Sequence, residues 1–339
     1  PEAFVNMPRY LPVVILGVLL AAGLVAPLVT GETVPGFWVE VLIGGLMAGV
    51  LYSLVALGFV LIFKASGVFN FAQGAMVLFA ALAVARLAEK MPVWAAVLAT
   101  VVIMIALAFV VERVVLRPLV NQDAVALLMA TLGITYFLNG FGQSVWGSDI
   151  YEINLGIPRE PMMVLDKLFE GGVLVNRDDI AAAIAAVLLV GALAVFFRRT
   201  ATGRALRAVA DDHQAAQSIG IPLQRIWVIV WSVAGIVAIV GGVIWGGKLG
   251  VQFSISQVAL KALPVVILGG FESIPGAIVG GLIIGVGEKM AEVFLAPPLI
   301  REFDLAGGGI ENWFAYVLAL VFLLVRPEGL FGERRIDRV

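Results

Sequence analysis

Residues 41–63 read VLIGGLMAGVLYSLVALGFVLIF, a run without a charged side chain that ends at Lys64. A helix of about 20 apolar residues crosses the ~30 Å hydrocarbon core of a bilayer, so this run predicts a transmembrane helix. The rest of the chain is similarly apolar: 61% of its 339 residues are hydrophobic, 14% are charged, and its mean hydropathy is +1.05. Soluble proteins contain ~45–50% apolar and ~25% charged residues, so the composition excludes an ordinary soluble domain.

Apolar runs recur along the whole chain. They predict an all-α, polytopic membrane helix bundle with about eight to ten transmembrane helices. The longer predicted spans are Leu11 to Val29, Val41 to Phe63, Asn70 to Ala85, Pro92 to Val111, Ala124 to Trp146, Ile180 to Phe197 and Ile226 to Gly247. Three shorter or glycine-broken runs cover Val258 to Gly270, Pro275 to Gly287 and Asn312 to Val325.

Glycines recur at four-residue spacing within several of these runs. The pairs are Gly45/Gly49, Gly242/Gly246, Gly276/Gly280 and Gly281/Gly285. Because a helix face of small residues lets a second helix backbone approach closely, these pairs predict tight helix packing. A partner subunit could use those faces that the chain does not use itself.

Positive charge is concentrated in one set of loops. Residues 198–225 hold Arg198, Arg199, Arg204, Arg207 and Arg225 between two long apolar runs. Because short cytoplasmic loops are rich in Lys and Arg, this segment is predicted to lie in the cytoplasm. Alternation of the spans then places both termini in the cytoplasm. It places residues 147–179, a long and mainly acidic loop, on the opposite side as an extracytoplasmic loop.

Two apolar runs are interrupted by glycine, proline or amide residues. The interruptions contain Gly67, Asn70, Gln73 and Gly74 in one half of the chain, and Gly269, Gly270, Pro275 and Gly276 in the other. Non-helical backbone inside a bilayer lines a cavity or meets a protein partner, so paired interruptions are typical of a transport path. Tight cytoplasmic turns are an equally open interpretation. The candidate path residues are Asn70, Gln73, Asn139 and Gln143.

The chain offers no nucleotide-binding or catalytic constellation. Residues 242–248 match the spacing G-x-x-x-x-G-K, but Leu249 stands where a phosphate-binding loop requires Ser or Thr. Cysteine is absent and His213 is the single histidine, so disulfides, thiolate catalysis and a metal site are not expected. Lys261, Glu288 and Lys289 lie near predicted helix ends, where a lysine can reach the headgroups.

Residues 203–221, GRALRAVADDHQAAQSIGI, read as a soluble-looking helical segment inside a membrane protein. Gly203 and Gly220 punctuate its ends, and Pro222 stops its continuation. Apolar residues at helical spacing predict one face that packs on the protein and another that enters a groove on a partner. These apolar residues are Ala205, Leu206, Val209, Ala210, Ala215, Ala216 and Ile219, and the charged rim consists of Arg204, Arg207, Asp211 and Asp212.

Three ordered stretches resemble a known family. They are residues 45–76, GLMAGVLYSLVALGFVLIFKASGVFNFAQGAM; residues 198–221, RRTATGRALRAVADDHQAAQSIGI; and residues 265–288, VVILGGFESIPGAIVGGLIIGVGE. They are similar to the permeases of branched-chain amino acid ABC importers, specifically the first of the two permease subunits. The similarity runs from about residue 38 to the C-terminus. It implies that residues 1–339 form a single transmembrane permease domain.

The resemblance implies that residues 198–225 are a cytoplasmic coupling segment that docks in a groove of an ATPase. The importer signature E-A-A-x-x-x-G corresponds to residues 214–220, with Gln214 in place of Glu and with Ala215, Ala216 and Gly220 matching. The downstream I-x-L-P is missing at its usual spacing. These two departures leave the individual ATPase contacts open.

The resemblance also implies the partners. They are a second permease of a different sequence, two ABC ATPases that bind ATP and magnesium, and an extracytoplasmic substrate-binding protein. This chain itself is expected to bind no cofactor and no nucleic acid, and to lie in a bacterial inner membrane. The predicted function is import of branched-chain or related small amino acids. Urea or short amides remain alternative substrates, and an ion-coupled secondary transporter and a membrane enzyme remain alternative classes.

Overall fold

The computed structural model describes residues 35–119, 122–157, 160–169, 172–211, 213–303 and 309–332. The helices are α1 Pro35–Ser66, α2 Gln73–Ala88, α3 Val93–Val111, α4 Ala124–Trp146, α5 Arg177–Arg199, α6 Ala201–Asp211, α7 His213–Ser218, α8 Leu223–Leu249, α9 Ser254–Val258, α10 Ala262–Gly269, α11 Ile274–Met290, α12 Ala296–Phe303 and α13 Ile310–Val325. Single π-helical turns follow α3 at Glu112–Leu116 and α11 at Ala291–Leu295, and 3-10 turns cover Arg117–Leu119 and Ala259–Lys261.

The predicted all-α, polytopic membrane bundle is confirmed. Within the described residues, five helices are long and apolar enough to cross a membrane: Gly36–Ser66, Val93–Leu119, Val125–Trp146, Arg177–Arg199 and Leu223–Leu249. A sixth crossing results if Ser254–Gly269 and Ile274–Leu295, which are bent by 115° at their junction, count as one broken span. The predicted spans Val258 to Gly270 and Pro275 to Gly287 are therefore two arms of one bent segment.

Two further predicted spans form shorter apolar helices, Gln73–Ala88 and Trp313–Leu324. Each is shorter than the ~20 residues that cross the hydrocarbon core in a straight helix. The predicted span Leu11 to Val29 lies outside the described residues. The structure therefore gives five or six full-length crossings among the described residues, where composition alone predicts a larger number.

The chain divides into two compact units. Unit 1 comprises Pro1–Ala56, Ile157–Ile184 and Lys261–Val339, and unit 2 comprises Leu57–Gly156 and Ala185–Leu260. Both units are discontinuous in sequence, and each is built around a buried helix. The single permease domain inferred from the sequence stays a prediction.

Unit 1 is built on the close approach of α1 and α11. A Cβ atom on Gly49 would lie 2.6 Å from the carbonyl oxygen of Gly281, and one on Gly45 would lie 2.8 Å from the Cα of Val286. The predicted glycine faces Gly45/Gly49 and Gly281/Gly285 thus do pack backbone against backbone. In a membrane this contact stabilises the pair through van der Waals packing, since lipid tails supply no hydrophobic drive.

The C-terminal segment of unit 1 completes the end of α10. The backbone N–H of Leu330 donates to the carbonyl of Leu268 at 2.8 Å, and that of Phe331 donates to Gly269 at 3.1 Å. These bonds satisfy carbonyls that a helix C-terminus leaves without an intrahelical partner. The residues after α13 therefore form hydrogen bonds to the end of α10, next to the turn that joins α10 to α11.

Unit 2 surrounds α2, which packs against α3, α4, α8 and α9. Every residue from Gln73 to Ala85 is buried, so this helix lies inside the protein on all sides. Close backbone approach again makes the packing possible: a Cβ atom on Gly242 of α8 would lie 2.6 Å from the carbonyl oxygen of Val77. A short helix that is apolar all round is typical of a buried position.

The predicted extracytoplasmic loop 147–179 contains the one strand pair among the described residues. β1 (Pro161–Val164) pairs antiparallel with β2 (Val173–Asn176), with Met163 opposite Leu174. Val173 and Val175 are buried, whereas Leu174 and Asn176 are exposed. This alternation matches a strand with one packed face. The strand pair belongs to unit 1, and the side of the membrane on which the loop lies stays a prediction.

Candidate functional site

The Arg-rich segment folds into two short helices, α6 and α7, as the apolar spacing predicts. Gly203, Leu206 and Val209 recur every three residues on the buried face of α6, and the latter two side chains are 1% and 0% exposed. Arg204 and Arg207 are exposed. The helix is therefore amphipathic, with one face held by unit 2, where α6 contacts α8.

A tight elbow joins α6 to the end of α5. A Cβ atom on Gly203 would lie 2.6 Å from the Cα of Phe197, so a larger residue cannot occupy this position without backbone movement. The guanidinium of Arg207 donates to the carbonyl oxygen of Phe197 at 2.5 Å. The hydroxyl of Thr200 accepts from the backbone N–H of Gly203 at 3.0 Å. These contacts fix the position of α6 relative to the end of the α5 helix.

The second helix, α7, ends in a Schellman motif. Gly220 has a φ of +87°, its N–H donates to Gln217 at 2.9 Å, and the N–H of Ile221 donates to Ala216 at 3.0 Å. Glycine adopts this left-handed conformation without the steric cost that other residues meet. The predicted end of the segment at Gly220 is confirmed, whereas Gly203, predicted to mark the other end, lies inside α6, which begins at Ala201.

The apolar residues of α7 and its C-terminus face in different directions. Ala216 is 2% exposed, whereas Ile219 is 74% exposed. Ala216 is therefore a packing residue, and Ile219 is the apolar side chain available to a partner. Asp212, together with the side chains of Asp211, Gln214 and Ala215, lies outside the described part of the chain. The roles of all these residues toward an ATPase stay predictions.

The predicted path residues Asn70 and Gln73 are both fully buried in unit 2. The amide oxygen of Asn70 accepts from the backbone N–H of Ala72 at 3.0 Å, which closes the turn before α2. The amide nitrogen of Gln73 donates to the carbonyl oxygen of Ala234 at 3.4 Å, while its oxygen has no partner. In this conformation, both side chains form hydrogen bonds to backbone groups inside unit 2.

The other two predicted path residues, Asn139 and Gln143, lie one turn apart on α4 and are half-buried. The side-chain oxygen of Asn139 is buried without a hydrogen-bond partner. The described residues show no hydrogen bond between this pair and Asn70 or Gln73. No hydrogen bond among the described residues thus joins the two predicted pairs. A role for either pair in transport stays a prediction.

Asn70→Ala is expected to destabilise unit 2 by about 1–3 kcal/mol, because the buried N–H of Ala72 loses its acceptor. Asn139→Ala is the matched control, since the oxygen that it removes has no partner. Thermal unfolding of the purified protein in detergent measures both. Equal stabilities of the two variants would show that the Asn70 turn does not depend on its side chain.

Both helix interruptions are tight turns. At the first, Gly67 has a φ of +70°, and the hydroxyl of Thr131 accepts from the backbone N–H of Phe71 at 3.3 Å. In the first turn of α2, a Cβ atom on Gly74 would lie 2.5 Å from the carbonyl oxygen of Ser256. This geometry agrees with the turn interpretation. It leaves open whether the backbone here also lines a path.

The second interruption is capped at both of its ends. Gly270 ends α10 with a φ of +101°, and the hydroxyl of Ser273 accepts from the N–H of Gly276 at 3.0 Å as the N-cap of α11. Pro275 occupies the first turn of α11, where its missing N–H costs nothing. The backbones of Gly269 and Gly276 are in contact. The prediction that these residues are structural fits the geometry.

Sequence reasoning missed one polar cluster. The carboxylate of Glu288 accepts from the ammonium of Lys261 at 2.9 Å and from the hydroxyl of Tyr52 at 3.1 Å. From the sequence, Lys261 and Glu288 were each expected near a helix end, without a contact between them. Opposite charges in two otherwise apolar runs were the available signal, but their pairing depends on the fold of unit 1.

Comparison with known proteins gives a consistent result. The family model of the branched-chain amino acid transport system permease component matches residues 41–326. The high-affinity branched-chain amino acid transport system permease protein LivH of Salmonella typhimurium is 27% identical over 89% of this chain and 98% of its own length. The corresponding protein BraD of Pseudomonas aeruginosa is 29% identical over the same shares.

A more distant relative extends the comparison beyond these two bacteria. The probable branched-chain amino acid transport permease protein LivH of Methanocaldococcus jannaschii is 26% identical over 86% of this chain and 92% of its own length. The matched family region contains residues 198–225, both interruptions, α11 and the part of α1 from residue 41 onward. The chain is a multi-pass membrane protein that belongs to the family of branched-chain amino acid transport system permease components.

Proposed function

We propose that this chain is the translocation subunit of an ATP-driven importer for branched-chain or related small amino acids. The carrying observation is the segment 198–225, which is held on unit 2 by Leu206, Val209 and the Arg207–Phe197 bond and presents Ile219 outward. Ile219 directly follows α7, whose Ala216 is buried, so an exposed apolar side chain next to a packed helix is available to transmit a force from a docked partner. Family membership supports the same function.

The complex that we propose has four further protein components. A second permease of different sequence completes the path, two ABC ATPases bind the cytoplasmic segments, and a substrate-binding protein delivers ligand from outside. ATP and magnesium are bound by the ATPases, since residues 242–248 lack the hydroxyl residue of a phosphate-binding loop. We therefore propose that the chain contacts the two ATPases, the partner permease, the binding protein and the surrounding lipid.

We also propose an orientation for the complex. The chain lies in a bacterial inner membrane with both termini in the cytoplasm, because the Lys- and Arg-rich segments then fall on the cytoplasmic side. This chain hydrolyses no ATP, catalyses no other reaction and binds no nucleic acid. Residues 147–179, with the β1–β2 hairpin, face the binding protein on the outer side.

Uptake by the reconstituted complex tests this function. Proteoliposomes that contain both permeases and both ATPases, supplied with the binding protein, are expected to take up radiolabelled L-leucine when ATP is present on the cytoplasmic side. A proton or sodium gradient without ATP should give no uptake. Gradient-driven uptake without ATP would instead identify an ion-coupled carrier, and ATP-driven uptake of urea or acetamide without leucine would identify the alternative substrate class.

A further inference from the structure

Glu288, Lys261 and Tyr52 form a polar cluster in unit 1, which we call the Glu288 cluster. One carboxylate oxygen of Glu288 accepts from both Lys261 and Tyr52. The other carboxylate oxygen is buried and has no hydrogen-bond partner. The Glu288 side chain is 9% exposed and the Lys261 side chain is 29% exposed. The cluster is thus closed on the carboxylate side and accessible on the ammonium side.

Lys261 and Glu288 lie on the two arms of the bent segment. Lys261 immediately precedes the 8 residues of α10, and Glu288 lies in the last turn of α11, which ends at Met290. Their ion pair therefore joins the two arms away from the turn that follows Gly269.

A buried ion pair is costly to retain for stability alone. Removing both charges from water costs more than their attraction returns unless every remaining lone pair is satisfied. In Glu288 one oxygen remains unsatisfied. Ionisable residues inside membrane proteins mark ligand and ion pathways by default. The second oxygen of Glu288 therefore has the capacity to accept one further hydrogen bond.

We propose that the Glu288 cluster binds the zwitterionic head group of the transported amino acid, an inference that rests on the proposed importer function. The free oxygen of Glu288 accepts from the substrate ammonium, and the ammonium of Lys261 turns from Glu288 to the substrate carboxylate. Tyr52 keeps its hydrogen bond to Glu288 and holds the carboxylate in place. A zwitterion adds no net charge, so it replaces one ion pair by two without burying an uncompensated charge.

The double variant Lys261→Met, Glu288→Leu separates substrate binding from structural pairing. Apolar residues of similar volume commonly replace a buried ion pair without loss of stability. If the pair were structural only, this variant would fold and transport normally. As a substrate site, it should fold but lose ATP-driven uptake of L-leucine by at least about tenfold, because charged contacts of that strength are removed.

The exposed pair Lys289–Glu292, 2.6 Å apart at the end of the same helix, provides the matched control. Lys289→Met, Glu292→Leu likewise removes one positive and one negative charge, but outside the Glu288 cluster, and should leave leucine uptake unchanged. Glu288→Gln is the second test variant, since its amide oxygen still accepts from Tyr52 while the charge is lost. It should raise the KM for leucine, with some loss of thermal stability because Lys261 loses its charged partner.

The outcomes separate the two hypotheses. Wild-type uptake of leucine by both the Lys261/Glu288 double variant and Glu288→Gln would overturn the zwitterion site and leave the importer function intact. Failure of the unmodified complex to take up leucine under ATP would instead contradict the proposed function itself. If the double variant does not fold, the KM of Glu288→Gln decides, and an unchanged KM overturns the proposal.

Discussion

Gly285→Ala is expected to destabilise the protein by about 3 kcal/mol or more, near the upper end of the costs of overpacking. A Cβ atom at this position would lie 2.5 Å from the carbonyl oxygen of Gly45 and would also collide with the backbone of Gly49. Backbone atoms of a helix cannot rotate away as a flexible side chain can, so α1 and α11 must separate. Thermal unfolding and the yield of monodisperse protein in detergent measure the effect.

Gly44→Ala is the matched control on the opposing helix α1. A Cβ atom there meets nothing within 4 Å, so only the intrinsic preference of alanine for helix remains. That preference favours alanine by ~0.8–1 kcal/mol, so the control should be neutral or slightly stabilised. A Gly285→Ala variant as stable as Gly44→Ala would show that the α1–α11 contact is looser than the structure has it.

Ile219→Glu is expected to reduce leucine uptake and transport-coupled ATP hydrolysis by at least about tenfold, because burying one carboxylate in an apolar groove costs well over the corresponding 1.4 kcal/mol. Ile219 is 74% exposed, so the substitution should leave the fold of this chain unchanged. Uptake, ATPase activity and co-purification of the ATPases with the permeases measure the loss of docking.

Two comparisons sharpen this prediction. Gln122→Glu adds the same charge to an exposed residue of the loop before α4, outside residues 198–225, and should have little effect on uptake. Ala216→Glu should instead lower the stability of the chain, because Ala216 is 2% exposed and packs inside unit 2. If Ile219→Glu still couples ATP hydrolysis to uptake normally and still binds the ATPases, Ile219 is not part of the docking surface.

The candidate coupling segment, residues 198–225, shows which features could be predicted from the sequence. The apolar spacing of Leu206 and Val209 and the glycine at position 220 correctly predicted an amphipathic helical segment with a defined end. The sequence did not reveal that Ala216 and Ile219 face different environments. Both are apolar and three residues apart, so only the position of unit 2 around α7 distinguishes a packing residue from a docking residue.

The positions of both interruptions were predicted, but the sharp bend at the second one was not. Glycine, proline and amide residues identified both places, since these residue types favour turns wherever they occur. Two apolar runs around Gly270 were predicted as separate spans, and the structure joins them into one segment bent by 115°. The lengths of α10 and α11 follow from the capping of this turn by Ser273 and by the segment around Leu330, which is distant in sequence.

The sequence by itself determined the membrane class, the helical content, the candidate coupling segment and the glycine faces, because each depends on residues within about two helical turns of one another. Only the tertiary structure decided which glycine faces meet, that Asn70 closes a turn, and that Glu288 pairs with Lys261 and with Tyr52, 236 positions away. Local periodicity has no information on partners at such separations. Their pairing depends on which helices can approach backbone to backbone, and that is a property of the packed bundle.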